Sequence, residues 1–191
     1  MELCRQCRRS PPPFEQVISP FLYEGTVRRL AVALKYHGRI SLVPTLADWM
    51  AESVRLRCGA DPADLCLPVP MHSTRRRERT FNQAERLGRA VAHRLGIPFR
   101  TDLLIRSRAT QPQAGLSERQ RQRNVAGAFS LRREAAVRGR RVLLVDDIFT
   151  TGSTARACAK QLRDAGAVRV ALLTLAHARR DFVPSAETEA G

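Results

Sequence analysis

Two adjacent carboxylates, Asp146 and Asp147, stand between an apolar run and a small turn rich in hydroxyl groups. The whole segment reads VLLVDDIFTTGST over residues 142–154. The consecutive aliphatic residues before Asp146 favour a strand that is covered on both faces, as in a parallel sheet. The acidic pair is therefore expected at the carboxyl end of that strand, which is where open α/β sheets bind ligands.

The turn after the acidic pair predicts a site for a phosphate group. It consists of Thr150, Thr151, Gly152, Ser153 and Thr154. A helix is predicted over residues 155–165, stopped by Gly166. Backbone N–H groups and the dipole at a helix N-terminus favour an anion. Because no lysine follows Gly152, the Walker pattern that reaches further phosphates is absent, and the turn fits a monophosphate.

The two carboxylates narrow the choice of ligand. Carboxylates this close to a phosphate would repel it unless they bind another group. The vicinal hydroxyls of a ribose or a magnesium ion would serve as that group. The implied ligand is a ribose 5-phosphate group.

Two other interpretations account for less of the segment. A response-regulator receiver domain also has paired acids after a strand, but it needs more chain after them than follows Asp147 here. A helix cap after a buried strand explains Thr150 but does not explain Asp146 and Asp147 together.

Apolar periodicity places the segment in a chain of alternating helices and strands. It predicts helices over residues 23–38, 44–58 and 82–95, and strands over 65–69, 101–105, 128–131, 141–147 and 168–175. Residues 106–123 have no apolar period and are predicted to be a long mobile loop in which Ser117 caps one helical turn. This order predicts an α/β fold with a parallel, Rossmann-like sheet.

The formal net charge is +15 at pH 7, and nearly all of the 33 basic residues are arginines. Such a balance favours polyanion binding, although arginine use also follows the coding composition of a genome. Two arginine clusters, within residues 75–79 and 119–123, are expected to line the same crevice. Their charge suits either a pyrophosphate group or a nucleic-acid backbone.

The chain has five cysteines and no secretory signal, so a disulfide framework is not expected. Cys66 and Cys158 fall in a predicted strand and a predicted helix and are expected to be buried thiols. Cys4 and Cys7 have the CxxC spacing that gives two thiolates to a tetrahedral zinc ion. Cys58, a histidine or a second chain would have to complete such a site.

The expected organisation is one domain with two appendages. Residues 1–13 form an N-terminal CxxC segment that ends in a proline-rich break, residues 14–179 the domain, and residues 180–191 a disordered tail. No apolar run is long enough to cross a bilayer, and residues 1–10 carry charges. A cytoplasmic location without membrane insertion is therefore expected.

The segment at 142–154 resembles the 5-phosphoribosyl-1-pyrophosphate (PRPP) motif of type I phosphoribosyltransferases. The other segments narrow the resemblance to ComF-type competence proteins. They are CRQC, YEGTVRRLAVALKYHG, LPVPMHSTRRRERTFNQAERL and QPQAGLSERQRQRNVAGAF, in this order. The resemblance covers nearly the whole chain and implies a phosphoribosyltransferase fold with a short CxxC extension, linked to natural competence.

The resemblance also implies roles for the parts of the motif. Asp146 and Asp147, the catalytic candidates, would hold the ribose hydroxyls, and the turn at 150–154 would hold the 5-phosphate. Magnesium would bind the pyrophosphate group. Phe149 is bulky enough to pack under the turn.

Two further segments receive roles in the same way. The pyrophosphate loop would contain His72, Arg75 and Arg76. Residues 110–124 resemble the flexible hood loop that covers the reacting centre. Residues 79–83 fit ligand binding and, equally, a cap on the next helix through Asn82.

Two classes of function remain open. In the first, the protein is a phosphoribosyltransferase, and an unidentified acceptor displaces pyrophosphate from C1 of the ribose. In the second, a non-catalytic protein of the same fold binds single-stranded DNA, or a helicase or recombination partner, during DNA uptake. A homodimer is compatible with both.

Overall fold

The computed structural model describes residues 11–59, 61–71, 81–108, 110 and 117–178. In chain order the elements are β1 (Gln16–Ile18), β2 (Phe21–Leu22), α1 (Gly25–Tyr36), α2 (Val43–Cys58), β3 (Leu65–Pro68), α3 (Gln83–Leu95), β4 (Leu104–Arg106), α4 (Glu118–Val125), β5 (Phe129–Leu131), β6 (Arg141–Phe149), α5 (Ser153–Asp164) and β7 (Arg169–His177). Short 3-10 helices lie at Ile40–Leu42 and Glu134–Ala136.

The main sheet is parallel, with the order β1-β7-β6-β3 among the described residues. The two longest strands, β6 and β7, lie side by side in the middle of the sheet. Strands β4 and β5 form a separate antiparallel hairpin. A parallel sheet with helices between its strands confirms the predicted α/β class.

Helices cover both faces of the sheet, which is why β6 is apolar without interruption. Leu143 and Val145 point into a core formed with α1, α2 and α3, here called the α3-side core. Val142 and Leu144 point into a core formed with α4, α5 and the β4–β5 hairpin, here called the α5-side core. Strand residues that are buried on both faces leave no polar side to the strand.

The thiols of Cys66 and Cys158 are buried in these two cores. Cys66 lies on β3 in the α3-side core, and Cys158 lies on α5 in the α5-side core. Burial raises the pKa of both thiols well above the usual value. The prediction that they are buried thiols is confirmed.

The sheet has an edge strand that the sequence pattern did not predict. Strands β1 and β2 pair with β7 in the same register, although the pairing itself is interrupted at Ser19 and Pro20. Ser19 bridges the interruption, because its hydroxyl lies 2.6 Å from that of Thr174 on β7. Proline has no N–H to donate, so it is tolerated at an edge and not in a central strand.

The predicted helices over residues 23–38, 44–58 and 82–95 are confirmed as α1, α2 and α3, with ends that shift by a few residues. Helix α5 also ends as expected. Gly166 has a positive φ of 89°, its N–H donates to Arg163, and the next N–H donates to Leu162. This is the paired hydrogen-bond pattern of a glycine-terminated helix.

The prediction of an unstructured loop over residues 106–123 is wrong in part. Arg106 ends β4, and residues 118–125 form α4. Ser117 starts this helix with a capping box: its hydroxyl accepts from Gln120 N–H (3.3 Å), and the Gln120 side chain accepts from Ser117 N–H (2.8 Å). The polar composition concealed the helix because, of its residues, Val125 is the one that enters the core.

Arg141 fixes the amino-terminal end of β6, at the opposite end of the strand from the acidic pair. Its guanidinium donates to the carboxylates of Asp64 (2.6 Å) and Asp61 (2.8 Å). The backbone N–H of Arg141 also donates to Asp64, and these bonds lower the pKa of Asp64 to about 2. Because Asp64 precedes β3, the contacts hold β3 and β6 in register.

The topology predicts a binding crevice between the carboxyl ends of β3 and β6. The chain after β3 leads to α3 on one face of the sheet, whereas the chain after β6 leads to α5 on the other face. Neighbouring strands whose connections diverge in this way leave a gap, and open α/β sheets bind ligands there. Among the described helices, none is both long and apolar enough to cross a membrane.

Candidate functional site

The acidic pair lies where β6 leaves the covered part of the sheet. Residues 142–145 are buried, whereas Asp146 and Asp147 are half-buried. The backbone N–H of Asp147 donates to Asp146 Oδ1 (2.9 Å), and that of Ile148 donates to Asp147 Oδ1 (2.7 Å). Each carboxylate is held by the peptide group after it and keeps oxygen lone pairs for a ligand.

The alternation of side chains along β6 changes phase at the acidic pair. Val145 packs into the α3-side core, and Ile148 packs against the same core, although three steps along a strand should reverse the side. The register with β7 is the same before and after the pair, so no residue is inserted. Counted forward from Val145, the alternation places Asp146 on the α5 side, and counted back from Ile148 it places Asp147 on the same side. The two negative charges are therefore brought together.

This arrangement disfavours the charged form of Asp146. Burial raises the pKa of Asp146 well above its usual value, and the negative charge of Asp147 raises it further. The positive charge of Arg106 acts in the opposite direction. A ligand that brings hydroxyl donors or a cation would relieve the repulsion within the pair.

Gly152 shapes the turn between β6 and α5. Its φ is +73°, and a Cβ at this position would lie 2.8 Å from two carbon atoms of the Phe149 ring. That ring is packed edge-to-face against Phe14 and His177. Glycine is therefore required both for the backbone conformation and for space. The expectation that Phe149 packs under the turn is confirmed.

The first turn of α5 directs backbone N–H groups into this bend. Gly152 is the N-cap residue, and as a glycine it has no side chain to cap the helix. The hydroxyls of Thr151 and Ser153, on either side of Gly152, lie 3.0 Å apart, and Thr150 and Thr154 are the first and last residues of the turn. N–H groups and hydroxyls gathered at a helix N-terminus can bind a phosphate group.

Strand β3 brings the start of the predicted pyrophosphate loop beside the acidic pair. Val69 N–H donates to the carbonyl of Val145, the residue before Asp146 (2.8 Å). From the other end of the loop, the Asn82 amide donates to the carbonyl of Val69 (3.1 Å). The Asn82 oxygen accepts from Ala84 N–H (3.1 Å), which confirms its role as the cap of α3. The loop therefore leaves and returns next to the acidic pair.

The β4–β5 hairpin approaches the pair from the α5 side and contributes Arg106, which was not among the predicted site residues. The arginine ends β4, and its side chain is half-buried. The sequence did not indicate that Arg106 is partly buried, because the residue stands between an apolar strand and a polar segment. Its positive charge affects the pKa of both Asp146 and Cys158.

The arginines of α4 differ in exposure. Arg119 and Arg123 are exposed, whereas Arg121 is buried. An α-helix turns through 3.6 residues, so residues two apart point in different directions. Arg121 is thus part of the packing of α4, and the expectation that this arginine cluster lines the crevice stays a prediction.

Several predicted site residues lie outside the described part of the chain. They are His72, Arg75 and Arg76 of the pyrophosphate loop and Cys4 and Cys7 of the zinc hypothesis. Their roles stay predictions. Cys58, a candidate to complete the zinc site, is half-buried and accepts a hydrogen bond from the Gln16 side chain (3.0 Å). In the described ranges, no three metal-ligating side chains come together.

Comparison with known proteins identifies the family. The family model described as "Phosphoribosyl transferase domain" matches residues 82–188, which include the acidic pair and the turn. The chain belongs to the phosphoribosyltransferase family. The α/β fold described above is the fold expected of this family.

Relatives of this phosphoribosyltransferase-family chain confirm the resemblance to ComF-type competence proteins. DNA utilization protein YhgH of Salmonella typhimurium is 35% identical over 170 residues, which cover 87% of this chain and 74% of that protein. Competence protein F of Haemophilus influenzae is 31% identical over 179 residues, covering 92% and 78%. A solved adenine phosphoribosyltransferase of Leishmania donovani is 17% identical, with a TM-score of 0.46, and covers 84% of this chain and 75% of that one.

Gly152→Ala should destabilise the protein more than Gly139→Ala. Both glycines have positive φ angles, 73° and 71°, so each alanine introduces backbone strain of about 1–3 kcal/mol. A Cβ at Gly139 meets nothing within 4 Å, whereas a Cβ at Gly152 meets the Phe149 ring. The overlap should add about 1–3 kcal/mol, measured as the free energy of unfolding in urea. Equal losses would show that the ring does not shape the turn.

Asp146→Asn should raise the free energy of unfolding at neutral pH. Folding raises the pKa of this carboxyl above its ordinary 3.8, so the folded state binds the proton more tightly than the unfolded chain does. Wild-type stability should therefore fall as the pH rises from the unfolded pKa to the folded pKa. The extra stability of Asp146→Asn relative to the wild type should be absent below about pH 4 and should reach its full value above the pKa of Asp146 in the folded protein.

Thermal unfolding at a series of pH values measures this gain. Asp102→Asn is the control, because Arg100 lowers the pKa of Asp102 to about 2, and this carboxylate stabilises the folded state when it is charged. The control should lose stability at neutral pH and regain the wild-type value as the pH falls towards 2. A wild type more stable than Asp146→Asn at neutral pH would contradict the account of the acidic pair.

Proposed function

We propose that the protein binds PRPP, together with magnesium, through residues 142–154, and that it serves natural competence. In this proposal Asp146 and Asp147 accept hydrogen bonds from the two ribose hydroxyls. The turn from Thr150 to Thr154 binds the 5-phosphate through backbone N–H groups and hydroxyls. The link to competence follows the relatives, one of which is named competence protein F.

One observation supports this proposal above all others: two carboxylates that repel each other stand next to the first turn of a helix whose N-cap residue, Gly152, has no side chain to cap it. A simple anion would occupy the turn and leave the carboxylates unsatisfied. A simple cation would occupy the carboxylates and leave the turn unsatisfied. A phosphorylated ribose satisfies both, because it presents an anion and two hydroxyl donors on one molecule.

Magnesium fits the site as an ion that the ligand brings with it. Carboxylate oxygens are suitable ligands for Mg²⁺, but the described residues provide no group of three metal-ligating side chains. The ion would therefore take most of its oxygen ligands from the pyrophosphate group and from water. Bound there, it would neutralise negative charge on the leaving group. The predicted pyrophosphate residues His72, Arg75 and Arg76 would add to this charge stabilisation.

Transfer of the ribose 5-phosphate to an acceptor is the reaction that this mode of binding would permit. Pyrophosphate would leave C1 as the acceptor attacks, and positioning and charge stabilisation would supply most of the rate. The hood segment at 110–124 would restrict water at the reacting centre.

A non-catalytic role in DNA handling is the second candidate. Two observations favour it: the net charge of +15 and the DNA utilization proteins among the relatives. Exposed arginines such as Arg119 and Arg123 can neutralise backbone phosphates without recognising a sequence. DNA affinity of this kind would fall steeply with salt.

Isothermal titration calorimetry with PRPP and magnesium tests the proposed function. The wild type should bind PRPP, and the double variant Asp146→Asn, Asp147→Asn should bind at least about tenfold more weakly, a loss of about 1.4 kcal/mol. The expected loss follows from removing two charged acceptors of hydroxyl hydrogen bonds. Asp102→Asn serves as the control, since this carboxylate is bound to Arg100 away from the turn.

The outcomes separate the two candidates. Absence of PRPP binding by the wild type would overturn the first proposal. Single-stranded DNA binding that persists in the double variant, but is lost when surface arginines are neutralised, would support the second. Loss of PRPP binding in Asp102→Asn as well would show that the double variant acts through general charge and not through the pair.

A further inference from the structure

Contacts with Phe129 and Thr110 hold Arg106 at the end of the β4–β5 hairpin from which the connecting segment leaves. It pairs with Phe129 across the two strands, and its guanidinium carbon lies 5.4 Å from the centre of that ring. The guanidinium also donates to the hydroxyl of Thr110. An arginine stacked on an aromatic ring and hydrogen-bonded at one end has little freedom to turn away.

These contacts place the guanidinium on the α5 side of the sheet, the side that Asp146 faces. Phe129 is buried in the α5-side core, together with Cys158 of α5. Asp146 follows Leu144 on the same side of β6, since alternate residues of a strand share a side. The charge of Arg106 lowers the pKa of both Asp146 and Cys158, in opposition to burial. The guanidinium is thus within electrostatic reach of the space between the end of β6 and α5.

Arg108, two residues further on, has a different role. Its side chain is exposed, and it donates to the carbonyls of Asn124 (3.0 Å) and Ala126 (2.9 Å). These bonds join the two ends of the hairpin connection. The two arginines lie near each other in the chain and carry the same charge, but the Arg106 guanidinium lies on the Phe129 ring at the α5-side core, whereas the Arg108 side chain is exposed.

We propose that Arg106 is a positioning residue that keeps the Asp146 side chain as a carboxylate directed into the crevice, where it accepts a hydrogen bond from a ribose hydroxyl. The inference rests on the proposed function of the same site. The physical reason is that a neutral acid has one oxygen committed to O–H, whereas a carboxylate accepts hydrogen bonds at both oxygens. Asp147 repels this negative charge, and Arg106 supplies the compensating positive charge.

Loss of Arg106 should affect the binding of ribose 5-phosphate and of inorganic phosphate differently. Arg106 acts on the hydroxyl part of the ligand through Asp146, and it does not contribute to the turn that binds phosphate. Arg106→Gln should therefore weaken binding of ribose 5-phosphate, measured without metal by calorimetry, by about tenfold. Affinity for inorganic phosphate should stay within about twofold of the wild type. Arg106→Lys, which keeps the charge, should recover most of the lost affinity.

Arg108→Gln is the matched control and should leave both affinities within about twofold of the wild type. A second test combines Arg106→Gln with Asp146→Asn. Because Arg106 acts through Asp146, the double variant should bind ribose 5-phosphate no more weakly than Asp146→Asn alone. Circular dichroism melting of each variant shows whether it is folded, and Arg106→Lys carries the test if Arg106→Gln is not.

Three results would overturn the proposal. Additive losses in the double variant would show that Arg106 acts on the ligand directly. Equal losses for ribose 5-phosphate and inorganic phosphate would show that it supports the turn or the fold. Failure of Arg106→Lys to recover affinity would show that the stacked guanidinium, and not its charge, is required. A wild type that binds inorganic phosphate but not ribose 5-phosphate would instead remove the proposed function, and this inference with it.

Discussion

Repulsion between Asp146 and Asp147 is the interaction on which the account of this structure depends. Two carboxylates that follow a buried strand and face the same side destabilise the folded protein when both are charged. Such an arrangement persists only if the surrounding structure holds it in place. The free energy that this repulsion costs is offset by the cores on either side of the strand, and it would be recovered if the proposed ligand satisfied the pair.

The architecture around β6 shows how the pair is held. The strand is apolar on both faces before the acidic pair, and its beginning is fixed by Arg141 between two aspartates. Strand β7 pairs along nearly the whole length of β6, and β3 pairs with residues 142–145. Strand β3 also delivers the predicted pyrophosphate loop, and the hairpin delivers Arg106. Two other segments of the chain, the end of β3 and the hairpin, therefore approach the end of β6, which is the usual way for a parallel sheet to build a binding site.

The sequence predicted the parts of this site that are local. An aliphatic run, two acids and a turn of small residues are contiguous, and each has a direct physical meaning, so β6 and α5 were expected where they occur. Gly152 illustrates the limit of that reasoning. Its positive φ was within reach of a sequence argument, but its contact with the Phe149 ring arises from packing against Phe14 and His177, which are distant in the chain.

Features that depend on tertiary contacts could not be predicted from one sequence. The edge strands β1 and β2 are too short and too interrupted by Pro20 to show a period. Helix α4 is polar on nearly all sides, so the sequence predicted only its cap at Ser117 and one helical turn, and not its full length. Arg106 looked like the first residue of a loop, and its place beside the α5-side core is set by Phe129, which pairs with it across the hairpin.

A crystal structure of the protein with PRPP and magnesium tests the central claim most directly. The account predicts the 5-phosphate within hydrogen-bond distance of the N–H groups at the start of α5, and the ribose hydroxyls on Asp146 and Asp147. Electron density for the ligand at another place on the molecule, with the acidic pair and the turn unchanged, would contradict it.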